Sequence, residues 1–230
     1  NSPGLCAIAA SARHTSGAVI IAAITSDSQT TCDEKAIARM GYSMGNIAGM
    51  QYENSAKARY AAAGAIASAV PGSLGAVMGQ VIVEGFNSAN RWDDADRIAS
   101  AGLTEVASNP NTTSLDKDLA NLGLAMGNHR MQWENSAKAR KEVAKALQNT
   151  PTGNVGSILA DVGHKAVAVS NRWDDADHMA GDALQAVISN PNSSQTQKSL
   201  ARTALQQTSG GGITWENSAK TRDNALRNIA

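Results

Sequence analysis

Aromatic side chains make up only 3% of this 230-residue chain, and Phe occurs once. A core of stacked rings is therefore excluded, and abundant Ala with 20 Gly implies small side chains and closely approaching backbones. Long apolar runs are missing too. The longest, AVIIAAI at 18–24, falls far short of the roughly 20 residues that cross a bilayer, so no membrane span is expected. Neither sign of charge is in excess: 20 basic residues balance 20 acidic ones, leaving no bulk field to draw the chain onto nucleic acid or an anionic surface.

Cysteine is limited to Cys6 and Cys32, and the chain opens NSPGLCAIAA without Met. Together these lead to the expectation of a processed protein, secreted or periplasmic, with a Cys6–Cys32 disulfide. Such a bond requires the first 30 or so residues to reverse, because a straight helix over 5–25 would carry Cys6 about 30 Å from the turn near residue 28. The stretch RHTSG at 13–17 supplies turn residues and a Gly, so residues 1–31 are expected to form a short helical cap.

What is abundant is repetition. ENSAK occurs at 53–57, 134–138 and 216–220, and NRWDDAD at 90–96 and 171–177, giving a unit of about 81 residues. Turn signals at 25–31, 70–73, 108–113, 149–154 and 189–194 contain four of the five prolines and fall roughly every 40 residues. The segments between them carry a helical apolar phase, as in Val162, Ala166, Val169, Trp173, Ala176, Ala180, Ala183 and Val187. The expected fold is all-α: one domain, an antiparallel array or bundle of five long helices, about 32–70, 73–108, 113–149, 154–189 and 194–230, plus the cap. Gly41, Gly45 and Gly49, four apart, are expected to permit close helix contact or a kink.

In antiparallel long helices the repeated words fall at one level. This predicts a central aromatic and polar layer of Tyr52, Glu53, Asn54, Asn90, Arg91, Trp92, Trp133, Glu134, Asn135, Asn171, Arg172, Trp173, Trp215, Glu216 and Asn217. Glu53, Glu134 and Glu216 would lie opposite Arg91 and Arg172, and the Asn residues would penalise every register but one. The flanking Lys and DDAD charges are read as solvated faces or contacts to a second molecule. Asp174 with His178 has the one-turn spacing of helix metal ligands, but Arg97 replaces His178 in the other copy, so no metal site is assigned.

No nucleophile, phosphate loop or cofactor motif is present, so the expected role is non-enzymatic and without cofactor. The expectation is a structural or scaffolding protein that self-associates, as a homo-oligomer, or binds partners through repeated helix faces. The alternative is a carrier of a small apolar ligand or pigment held between helices at the tryptophan layer. A third, weaker reading is ice or surface binding through a flat Ala/Ser/Thr face. The sequons at Asn111 and Asn192 lie in expected loops as possible glycosylation sites.

Overall fold

The computed structural model describes residues 17–128 and 131–230. Among these the chain is all-α, with eleven helices and no strand. They are α1 (Gly17–Ser26), α2 (Cys32–Gly45), α3 (Tyr52–Ala67), α4 (Leu74–Ser88), α5 (Trp92–Ser108), α6 (Ser114–Met126), α7 (Trp133–Gln148), α8 (Val155–Ala168), α9 (Trp173–Ser189), α10 (Gln195–Thr208) and α11 (Trp215–Ile229). No described helix is long and apolar enough to cross a membrane.

Each of the five expected long helices is in fact two. The breaks fall at 46–51, 89–91, 127–132, 169–172 and 209–214, immediately before the aromatic residue of each repeated word. At every break the chain folds back on itself. Gly41 packs on Ala62 and Gly45 on Arg59, while Gly85 faces Ile98 and Gly102 faces Ile82, pairings that run in opposite directions along the two helices of a hairpin. The array is thus five antiparallel hairpins, α2–α3 through α10–α11, with α1 packed on α2. The three spaced glycines divide between the two expected roles: Gly41 and Gly45 allow close contact, whereas Gly49 lies in the turn with φ +79°.

Two kinds of helix start alternate along the chain. The first helix of every hairpin carries its own cap, where a side-chain oxygen accepts an otherwise orphaned N–H. Thr31 opens α2, Ser73 α4, Thr113 α6, Asn154 α8 and Ser194 α10, three of them with a reciprocal bond from Glu34, Asp116 or Gln197. The second helix of the first four hairpins starts after Gln51, Arg91, Gln132 or Arg172, none of which makes a side-chain cap.

The core is continuous from α1 to α11. Met40, Met44, Met78, Ile82, Ile98, Leu103, Leu119, Leu122, Met126, Leu147, Leu159 and Met179 are its largest fully buried side chains, surrounded by Ala. Fully burying such a side chain is worth about 1.5–3 kcal/mol, so these positions supply most of the packing energy in an otherwise small-residue interior. Consecutive hairpins share this core, and each therefore buries its apolar face only against its neighbours.

Of the expected cap, α1 is described, and Cys6 with the turn at 13–16 lies outside the described residues. Cys32 is exposed in the first turn of α2, and no disulfide is seen among the described residues.

Candidate functional site: the repeated turns and their aromatic edge

The repeated words sit at the hairpin turns, so they form an edge of the array rather than a central layer. In two of three copies the turns bring their Asn residues together. Asn54, 0% exposed, donates through Nδ2 to Asn90 Oδ1 at 2.8 Å and to Asp94 Oδ2 at 2.7 Å, and its Oδ1 accepts the Asn90 backbone N–H. The same Asp94 oxygen accepts the Gln51 N–H at 3.1 Å. In the next unit Asn135 donates to Asn171 and Asp175, each at 2.8 Å, Asn171 N–H returns to Asn135 Oδ1, and Gln132 N–H reaches Asp175. One amide thus pins the residue at which the following hairpin turns, and a carboxylate from that hairpin serves the uncapped start of the earlier helix.

The DDAD clusters are not solvated faces. Asp94, Asp96, Asp175 and Asp177 are all buried, and the outer pair points forward along the chain. Asp96 Oδ1 accepts from Ser136 Oγ and ion-pairs with Arg140, itself 4% exposed. Asp177 meets Arg222 at 2.7 Å, and Arg222 also donates to the Asp177 carbonyl and to Thr208. The links therefore alternate from α3 to α5, α5 to α7, α7 to α9 and α9 to α11, each hairpin joined to the one before and the one after. Burial pushes the Asp96 carboxyl above its ordinary range, and Arg140 and Ser136 draw it back without cancelling that effect.

The expected pairing of Glu with Arg across the layer is not formed. Glu53, Glu134 and Glu216 instead pair with Lys57, Lys138 and Lys220 one turn along the same helix, each at 2.6 Å. Arg91 pairs with Asp93, and Arg172 with Asp174. Burial works against the charge on Asp174, but the bonds from Arg172 hold its carboxyl below the usual range. Asn217 also departs from expectation: it is exposed, and Thr214 caps its backbone N–H.

The aromatic rings are not enclosed. Tyr52 is 87% exposed and Trp92, Trp133, Trp173 and Trp215 are between 44% and 55% exposed. Each starts a helix, so five linked turns present them as a row. Side chains from the adjoining helix lie against them in crossed pairs: the cations Lys138 over Trp92 at 5.5 Å with Arg97 over Trp133 at 5.7 Å, and Lys220 over Trp173 at 5.3 Å with the imidazole of His178 centred 5.5 Å from Trp215. His164, on α8, bonds Asp223 of α11 at 2.7 Å. His14 and His129 lie outside the described residues. Asn111 and Asn192 are exposed in the loops after α5 and α9, as expected of loop sequons.

The buried carboxylates and Arg140 were missed as site residues, although DDAD and the Arg at the end of ENSAKAR recur with the rest of the words. The signal that could have found them is spacing: Asn54 to Asp94 and Asp96 to Ser136 are both 40 residues apart. Compared with protein-family models, curated proteins and solved structures, the chain matches none.

Proposed function

We propose that the protein is a non-enzymatic structural scaffold that works by self-association, and that the row of exposed aromatic rings at the hairpin turns is the surface through which copies meet. The observation that carries this reading is the exposure of Tyr52, Trp92, Trp133, Trp173 and Trp215 in one linked row. Contiguous exposed apolar patches of this kind mark interaction sites, and Trp and Tyr are the residues enriched in them.

A second copy suits the row on chemical grounds. Each ring stands beside an acid and a base that pair, so the strip is neutral, and two strips can face each other without net repulsion. The whole chain has a formal net charge of zero, which favours association. Four half-exposed Trp rings and the largely exposed Tyr52, at about 150–250 Å² each when fully buried, supply a large part of the roughly 800 Å² per partner that a stable interface covers. Placement outside the cell or in the periplasm rests on the Cys6 and Cys32 pair and the loop sequons. Exposure of the rings weighs against the alternative of an apolar ligand or pigment enclosed by them.

Sedimentation velocity over a hundredfold concentration range tests the proposal. The wild type is expected to form a defined oligomer, and a variant with all four Trp replaced by Gln is expected to be monomeric with unchanged helicity. A wild type that stays monomeric throughout, or a variant that associates equally well, would remove it.

A further inference from the structure

The middle of the array carries a feature that the repeat does not explain. Between the α4–α5 turn and α7 lies an open groove of about 340 Å³, with Phe86, Trp92 and Val169 as its apolar part and Lys138, Lys141 and Lys145 along one side, Glu142 among them. In the other units the equivalents of Lys141 are Tyr60 and Asp223, that of Phe86 is Val167, and those of Lys145 are Gly64 and Arg227. A requirement of the fold would recur with the repeat. This combination does not.

The three ammonium groups differ in what neutralises them. Lys138 is paired with Glu134 at 2.6 Å, and Lys145 with Glu142 at 2.7 Å. Lys141 makes no ion pair among the described residues. Its Nζ sits 4.6 Å from the centre of the Phe86 ring, and loss of water together with the neighbouring Lys145 lowers its pKa, with Glu142 only partly opposing them. Phe86 and Trp92 stand 6.2 Å apart at 56°, so the apolar part is walled by two tilted rings. An unneutralised, partly desolvated ammonium at the lip of an aromatic-walled groove is matched by an anionic head on a flat apolar body.

We infer that this groove is a binding site for a small aromatic monoanion, its acid group on Lys141 and its ring laid against the wall that Phe86 and Trp92 form together. The groove opens to solvent and a single charge is left unmatched, so binding is of moderate strength. An aryl carboxylate satisfies Lys141 without disturbing the two pairs beside it. A dianion would have to compete with Glu134 or Glu142 for their lysines.

The test is calorimetric titration of 2-naphthoate into the full chain, at a protein concentration where sedimentation shows one species. Binding with a dissociation constant below about 1 mM is expected, a range in which small ligands of this size fall. Lys141→Met should weaken it at least tenfold while circular dichroism and melting temperature stay unchanged. The neutral 2-naphthamide should bind at least tenfold more weakly than the acid, and Phe86→Val, which installs the residue found in the next unit, should weaken the acid as well. Absence of binding at millimolar 2-naphthoate, equal affinity for the amide, or an unaltered affinity in Lys141→Met would each overturn the assignment.

Discussion

The turns between hairpins and the turns within them use opposite devices. Those between hairpins are locally complete: Thr113 caps α6, takes the side chain of Asp116 on its own N–H, and follows a proline-containing loop. Those before α5 and α9, within hairpins, are locally deficient. Arg91 and Arg172 cap nothing, and residues 89–91 contain neither Gly nor Pro. What bends the chain there is an amide 36 residues earlier, Asn54 for one turn and Asn135 for the other. One kind of turn is specified by its own residues, the other by tertiary hydrogen bonds that outweigh helix propensity.

Substitutions can break this contrast in order of expected size. Asp96→Ala should be the most damaging, costing about 3–5 kcal/mol, because it leaves the buried Arg140 charge without a partner. Asp177→Ala should cost clearly less. Arg222 keeps Thr208 and a carbonyl, whereas Arg140 makes no hydrogen bond besides that to Asp96 among the described residues. Urea unfolding of the two variants side by side measures the difference, and equal costs would show that the two junctions are energetically alike.

Next in size is Asn135→Ala, expected to cost about 2–3 kcal/mol, since it strips the Asn171 turn of its clamp and leaves buried polar groups unsatisfied. Asn217→Ala, the same residue in the same word, should lie within about 0.5 kcal/mol of wild type because it is exposed. If both cost the same, the clamp is not what the word is for. Thr113→Ala, which removes a local cap, should cost about 1 kcal/mol, and hydrogen exchange should show that loss confined to the start of α6.

The smallest effect is electrostatic. The folded-state pKa of Asp96 is raised above its ordinary 3.8. Between that value and the folded pKa the native protein binds a proton that the unfolded chain does not. The resulting stabilisation is complete below 3.8 and is lost as pH rises through the folded pKa. The stability of wild type relative to Asp96→Asn should therefore rise as pH falls through this window. A flat or falling difference would mean that the carboxylate is better solvated by Arg140 and Ser136 than its burial implies.

The helical class and the five turns at roughly 40-residue intervals were legible because caps, prolines and loop residues are local signals. The inner breaks were not. Val162, Ala166, Val169 and Trp173 continue one apolar phase straight across 169–172, since a four-residue turn advances the pattern by about one helical turn. The Asn pairs were reached through the wrong geometry, because hairpins folded at the repeated words and long helices aligned at them both bring the words together. Burial of DDAD was hidden because a run of carboxylates ordinarily belongs to water, and only Arg140 and Arg222, 44 and 45 residues away, make it tolerable inside.

The links between hairpins also set how the chain finds its structure. The partners of the clamps at the repeated turns are 36 to 45 residues apart, and the successive clamps interlock like overlapping tiles. Contacts of such short span close cheaply, so topology favours rapid collapse of neighbouring hairpins. An emerging chain can complete each turn as soon as the hairpin that clamps it, or is clamped by it, has been made. The fold is then laid down progressively, with no strand or helix waiting for a distant partner, and order spreads along the array by nearest-neighbour steps.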